Sequence, residues 1–92
     1  MAAVLVSYDL NSPGQSYDKL IAQIKTYPGY CKVLKSAWIV DWSAASAQSV
    51  YEDLKSVIDE NDHIFCVEIN GAARQGWLPE SRWDWIRANV GS

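Results

Sequence analysis

Few residues in this chain are of types that do chemistry, and Asp9 is the first. It follows the apolar run Val4-Leu5-Val6 and the pair Ser7-Tyr8, and Asn11-Ser12-Pro13-Gly14 comes after it. A carboxylate at the end of a core strand is held rigidly beside water, and Ser7 and Asn11 are close enough in sequence to add oxygens. A structural use competes, because Asp readily caps a following turn by accepting its backbone N–H groups. His63 is the only histidine. A general base must reach its reaction site, and His63 opens an apolar segment far along the chain, so the expectation is a surface role at a strand end. Asp41, Asp62 and Glu68 are further carboxylates near strand ends. Glu68 interrupts an apolar strand, so it is expected on a solvent-facing edge or paired with Lys32 or Lys35. Cys31 and Cys66 lie in apolar runs, form no CxxC pair and have no activating neighbour. They read as inert buried thiols in a reducing compartment. Near the C-terminus Trp77, Trp83 and Trp85 interleave with Arg74, Arg82 and Arg87. Such a cluster can stack bases, but the expectation is packing of the tail or of a dimer. No glycine-rich phosphate loop and no Cys/His ligand set is present.

These side chains need a scaffold, and the length and composition bound it. A chain of 92 residues makes one domain, and 49% hydrophobic residues supply a core that is only marginally stable without help. Five Trp and five Tyr are dense for this length and point to an interface, hence an oligomer. A net charge of −3 argues against a protein that grips nucleic acid over its whole surface. Local basic patches remain, with Lys19, Lys25, Lys32 and Lys35 in one stretch and Arg74, Arg82 and Arg87 in another. If nucleic acid is bound, Lys32, Lys35, Arg74 and Arg82 are the contacts to expect. The N-terminal apolar run lacks a basic flank and is too short for a signal peptide or a membrane span, so a cytoplasmic protein without membrane contact is expected.

Hydrophobic periodicity then assigns the elements. Residues 1–8 form a strand. Pro13-Gly14 makes a turn, Ser16 caps a helix, and Tyr17, Leu20, Ile21, Ile24 and Tyr27 form its inward stripe until Pro28-Gly29 stops it. From Cys31 to Trp42 the apolar phase shifts near Lys35-Ser36, which a single strand of period 2 does not allow. Two strands joined by a tight turn or bulge are predicted. Ser43 or Ser46 caps a second helix with Ala47, Val50, Tyr51, Leu54, Val57 and Ile58 inward. Residues 63–70 form a fourth strand. The order strand, helix, strand, strand, helix, strand is an α+β, ferredoxin-like sandwich: a four-stranded antiparallel sheet with two helices on one face. The other face is expected to be bare and to invite a partner. Residues 71–92 extend this core of about 1–70 with a loop and a short helix near 82–89, with Trp83 and Ile86 inward. The tail folds back on its own body or crosses to a second subunit.

Tyr8-Asp9, Gly29-Tyr30, Ser36-Ala37-Trp38-Ile39 and Ile58-Asp59-Glu60-Asn61-Asp62, each at its place against the strands, resemble the CRISPR-associated protein two family. These are small CRISPR-associated endoribonucleases that also serve in spacer integration. Ser7 to Asn11 and Pro13-Gly14-Gln15 further resemble small bacterial proteins labelled SinR-like. The resemblance covers about residues 1–70. It implies a ferredoxin-like fold and a symmetric homodimer, with Asp9 helping to hold a divalent metal, Mg²⁺ or Mn²⁺, at the dimer interface. The chain departs from that pattern in its acidic charge, in a first helix without arginines, and in a tail that replaces the exchanged fifth strand. Leu34 and Lys35 also stand where the family has Gln before the strand-three Ser. One carboxylate cannot hold Mg²⁺ alone, but a two-fold axis beside Asp9 would supply a second. Two readings follow. The first is a homodimeric binding module without catalysis, its partner nucleic acid or protein. The second is a Mg²⁺-dependent RNA or DNA phosphodiesterase using paired Asp9 residues.

Overall fold

The computed structural model describes residues 2–10 and 17–91. In chain order these form β1 (Ala2–Asp9), α1 (Tyr17–Ile24), β2 (Gly29–Leu34), β3 (Ala37–Trp42), α2 (Ala47–Leu54) with a 3₁₀ turn at Lys55–Val57, β4 (His63–Glu68) and α3 (Glu80–Asn89). The strands make one antiparallel sheet in the order β2-β3-β1-β4. This is the ferredoxin-like α+β sandwich that the element order predicts.

Local sequence explains most boundaries. Lys35 and Ser36 form the turn between β2 and β3, and the pairing register slips between Lys32 and Leu34. Paired residues of the two strands share parity, Cys31 with Ile39 and Lys32 with Trp38, so the apolar pattern shifts phase because β2 turns Val33 to one face of the sheet while β3 places Trp38 and Val40 on the other. Ser46, not Ser43, caps α2. Its Oγ accepts the Ser49 N–H at 3.0 Å, and Ser49 Oγ accepts the Ser46 N–H at 3.0 Å. This reciprocal capping box is worth about 1 kcal/mol. Tyr51, expected inward on α2, is exposed. Helix α1 ends at Ile24, so Tyr27 lies past it. Its ring stacks on Trp42 with centroids 4.5 Å apart, and its hydroxyl donates to Asp53 Oδ2 at 3.1 Å. Burial and that carboxylate both raise the Tyr27 phenol above its ordinary range. The Pro13-Gly14 turn, the Ser16 cap and Asn11 lie outside the described residues.

Alternation along β1 divides the core. Val4, Val6 and Tyr8 face α1 and α2, where they pack with Trp38, Val40, Leu20, Ile24, Val50 and Leu54. Trp38 Nε1 donates to the Tyr8 hydroxyl at 3.2 Å within this layer. Ala3 and Leu5 face the other way, and here the expectation of a bare face is corrected. Helix α3 covers part of that face, with Ile86 and Val90 packed on Ala3 and Ile39. The tail therefore folds back on its own body. Arg74 pins it by donating to the carbonyls of Ile69 and Gly91. Gly71, at φ 73°, turns the chain so that its N–H reaches Gly91 O at 2.9 Å. That left-handed conformation suits glycine. Among the described residues, no helix is long and apolar enough to cross a membrane.

Candidate functional site

Asp9 ends β1 on the exposed rim of the sheet, directly opposite His63, which begins β4. Directly opposed residues of an antiparallel pair project to the same side. By alternation from Ala3 and Leu5, that side is the α3 face. Ser7 and its cross-strand partner Phe65 continue the row, and the four residues line one shallow recess. His63 does hold the strand-end surface position expected of it, but the chemistry-bearing neighbour of Asp9 is this same histidine. Sequence reasoning kept the two apart because they are distant along the chain. The signal was in the topology, since when β4 runs antiparallel beside β1 its start must meet the end of β1. The Asp9 carboxylate makes no hydrogen bond or ion pair with another described residue.

The divalent metal implied by the family resemblance can be tested against these residues. A hard cation such as Mg²⁺ takes about six oxygen ligands, some of them water. One protomer offers the Asp9 carboxylate, the Ser7 hydroxyl and the His63 imidazole. No group of three or more His, Cys, Asp and Glu side chains is gathered among the described residues. The described residues of one chain offer too few ligands for the ion, and further ligands would have to complete any set.

The basic residues divide. Lys32, Lys35 and Arg82 converge beside Leu34 and Pro79 at one corner, where Arg82 Nε donates to Lys32 O at 3.1 Å. Arg74 is elsewhere, occupied with the tail carbonyls described above. Glu68 is exposed on β4, as one expectation had it, but pairing with Lys32 or Lys35 is excluded because β2 and β4 are opposite edges of the sheet. Its Oε2 accepts the Ala47 N–H at 3.2 Å instead. Cys31 and Cys66 are free and half-buried, not fully buried. Burial pushes the Cys66 thiol up to about 11 and also raises that of Cys31, so both are poor nucleophiles at neutral pH.

Like Asp62, Asp41, which the sequence placed only near a strand end, is a buried carboxylate. It is 7% exposed, and its Oδ1 has no hydrogen-bond partner. It sits between Ala3 and Gly29 in the sheet. A side chain at Gly29 would bring a Cβ within 3.0 Å of the Asp41 carbonyl oxygen. Burial raises the Asp41 carboxyl above the ordinary carboxylate range.

The three tail tryptophans have separate fates. Trp83 and Trp85 are half-buried and pack against the second core layer. Trp77 is 99% exposed. It stands at the edge of an apolar groove of about 450 Å³ between the sheet and the 72–78 segment, walled by Leu5, Val33, Ile39, Leu78 and Trp83. Leu34, at 60%, is exposed in the groove's lining, and Phe65, at 66%, is exposed on the opposite edge strand β4.

No family model matches the chain, and no curated protein and no solved structure matches it.

Proposed function

We propose that this chain is a small homodimeric binding module. It uses the scaffold of the CRISPR-associated protein two family, which its sequence resembles, and it works through the α3 side of its sheet rather than by catalysis. The observation that carries the reading is the exposed aromatic and aliphatic surface on that side: Trp77 and Leu34 at an apolar groove. Large apolar groups gathered at one recess mark an interaction surface more often than they occur by chance on a monomer. Half-buried thiols made less acidic by burial add no reactive group to it. Partners that fit are a second copy, another protein with an apolar anchor, or nucleic acid held additionally at the Lys32, Lys35 and Arg82 corner.

The second reading, a metal-dependent phosphodiesterase, is favoured by one observation: Asp9 and His63 stand opposite each other, exposed and facing the same side. Nuclease assays separate the two. Wild type and Asp9→Ala are compared on single- and double-stranded RNA and DNA, with Mg²⁺, Mn²⁺ or EDTA. The binding reading expects no metal-dependent cleavage above the variant's background. Metal-dependent cleavage that disappears in a folded, dimeric Asp9→Ala protein would establish the phosphodiesterase instead.

A further inference from the structure

The groove and Trp77 belong to one patch, and together they are self-complementary. The segment before α3 is irregular, and residues 72–78 border the groove. Leu78 packs on the second core layer, whereas Trp77 is left wholly in water. Trp77 does not fill the groove of its own chain, and the Trp77 of a second copy can. When an exposed knob and an empty hole lie on the same patch, a two-fold axis places each knob in the other's hole, and both contacts form at once.

We infer that two copies of this chain associate by reciprocal insertion of Trp77 into the partner's apolar groove. This rests on the homodimeric reading above and names its surface. The size fits: pockets that enclose a small planar group run from about 300 to 1,000 Å³, and this groove is about 450 Å³. The chemistry fits as well. The walls are aliphatic and aromatic, and Gln75 in the lining carries an amide oxygen that an indole N–H can donate to. The area fits a weak dimer. Each indole removes about 150–250 Å² of its own surface from water. Two of them, the walls they cover and the adjacent Leu34 pair reach about 1,000 Å², the low end for a specific interface. The dimer is therefore concentration-dependent, and Trp77 is its hot spot.

Sedimentation equilibrium across the micromolar range, with tryptophan emission followed over the same concentrations, tests this. Wild type is expected to pass from monomer to dimer while its emission shifts to the blue as Trp77 leaves water. Trp77→Ala should weaken the dimer about thirty-fold or more, the scale of a tryptophan hot spot, and abolish the blue shift. Leu34→Glu at the groove's edge should weaken it less. Both positions are exposed, so the variants should keep the wild-type circular dichroism spectrum. A wild-type dimer that survives Trp77→Ala unchanged overturns Trp77 insertion and leaves the homodimer standing on another surface. A wild type that stays monomeric throughout removes the homodimer itself.

Discussion

On the α1/α2 side of the sheet, Val4, Val6, Val40, Leu20, Ile24, Val50 and Leu54 have no exposure at all. On the α3 side only Ala3 is so completely enclosed, while Ile39, Ile86 and Val90 are nearly so, and a groove opens beside them. The difference is geometric. Four strands about 4.8 Å apart present a face roughly 15–19 Å wide, and a helix with its side chains is about 10 Å across. Two helices roof that width, and one does not. Helices α1 and α2 are also tied down at both ends by the strands they connect, whereas α3 is joined to the sheet only through residues 69–79. A single helix over a four-stranded sheet leaves a strip uncovered. Helix α3 lies nearest β2, so the strip falls over the β1–β4 side, where Asp9, His63, Ser7 and Phe65 stand.

The comparison is most sharply tested by truncating one buried side chain on each face. Leu54→Ala, in the doubly roofed layer, is expected to destabilise by about 3–5 kcal/mol, because its surroundings cannot collapse into the space left. Ile86→Ala, under the single helix, should cost about 2 kcal/mol, the low end of the same range, because the open groove lets its neighbours relax. Urea unfolding of both variants against wild type measures the difference. Equal losses, or a larger loss at Ile86, would mean that the α3 layer is packed as tightly as the other.

Asp41 gives a smaller, pH-dependent test of the α3 face. Burial raises its folded-state carboxyl above the ordinary value of 3.8. Below that ordinary value both folded and unfolded chains hold the proton, and Asp41 has no effect. As pH rises above it the unfolded chain ionises first, so stability falls until the folded state has ionised too. A buried group left without its hydrogen bond costs roughly 1–3 kcal/mol. Asp41→Asn removes the ionisation. The variant's advantage over wild type in thermal melting should be least near pH 3 and grow toward neutral pH. A difference that stays flat over that interval would place the carboxylate in contact with water or a cation.

Much of this contrast was legible in the chain, and its limits have physical causes. The break between β2 and β3 announced itself at Lys35-Ser36 as a change of apolar phase, while the α2 cap was narrowed only to Ser43 or Ser46. Tyr51 misled, because an amphipathic tyrosine fits a helical stripe equally well when its ring lies along the surface. The pairing of Asp9 with His63 follows from strand order, which no local pattern encodes. Asp41 was unreadable for a related reason: β3 is buried on both faces, and only the packing of α3 decides that an acidic residue there has lost water. The tail was hardest. Three tryptophans within nine positions look alike in composition, yet Trp83 and Trp85 lie on α3 and pack on the second core layer while Trp77, ahead of the helix, stands in solvent.

The smallest effect is expected at Phe65, and its smallness is what makes it informative. Phe65 lies on the α3 face, opposite Ser7 and beyond the reach of α3, and is 66% exposed. Truncating a side chain that is already in water removes little buried area, so Phe65→Ser should change folding stability by no more than about 0.5 kcal/mol. The strip over β1 and β4 would then be a surface left free for binding. A loss well above 1 kcal/mol in a dilute sample would mean that something roofs this strip in solution, and the face would be closed along its whole width. A loss that appears only at high protein concentration would instead place Phe65 inside the dimer, extending the contact from the Trp77 groove toward Asp9 and His63.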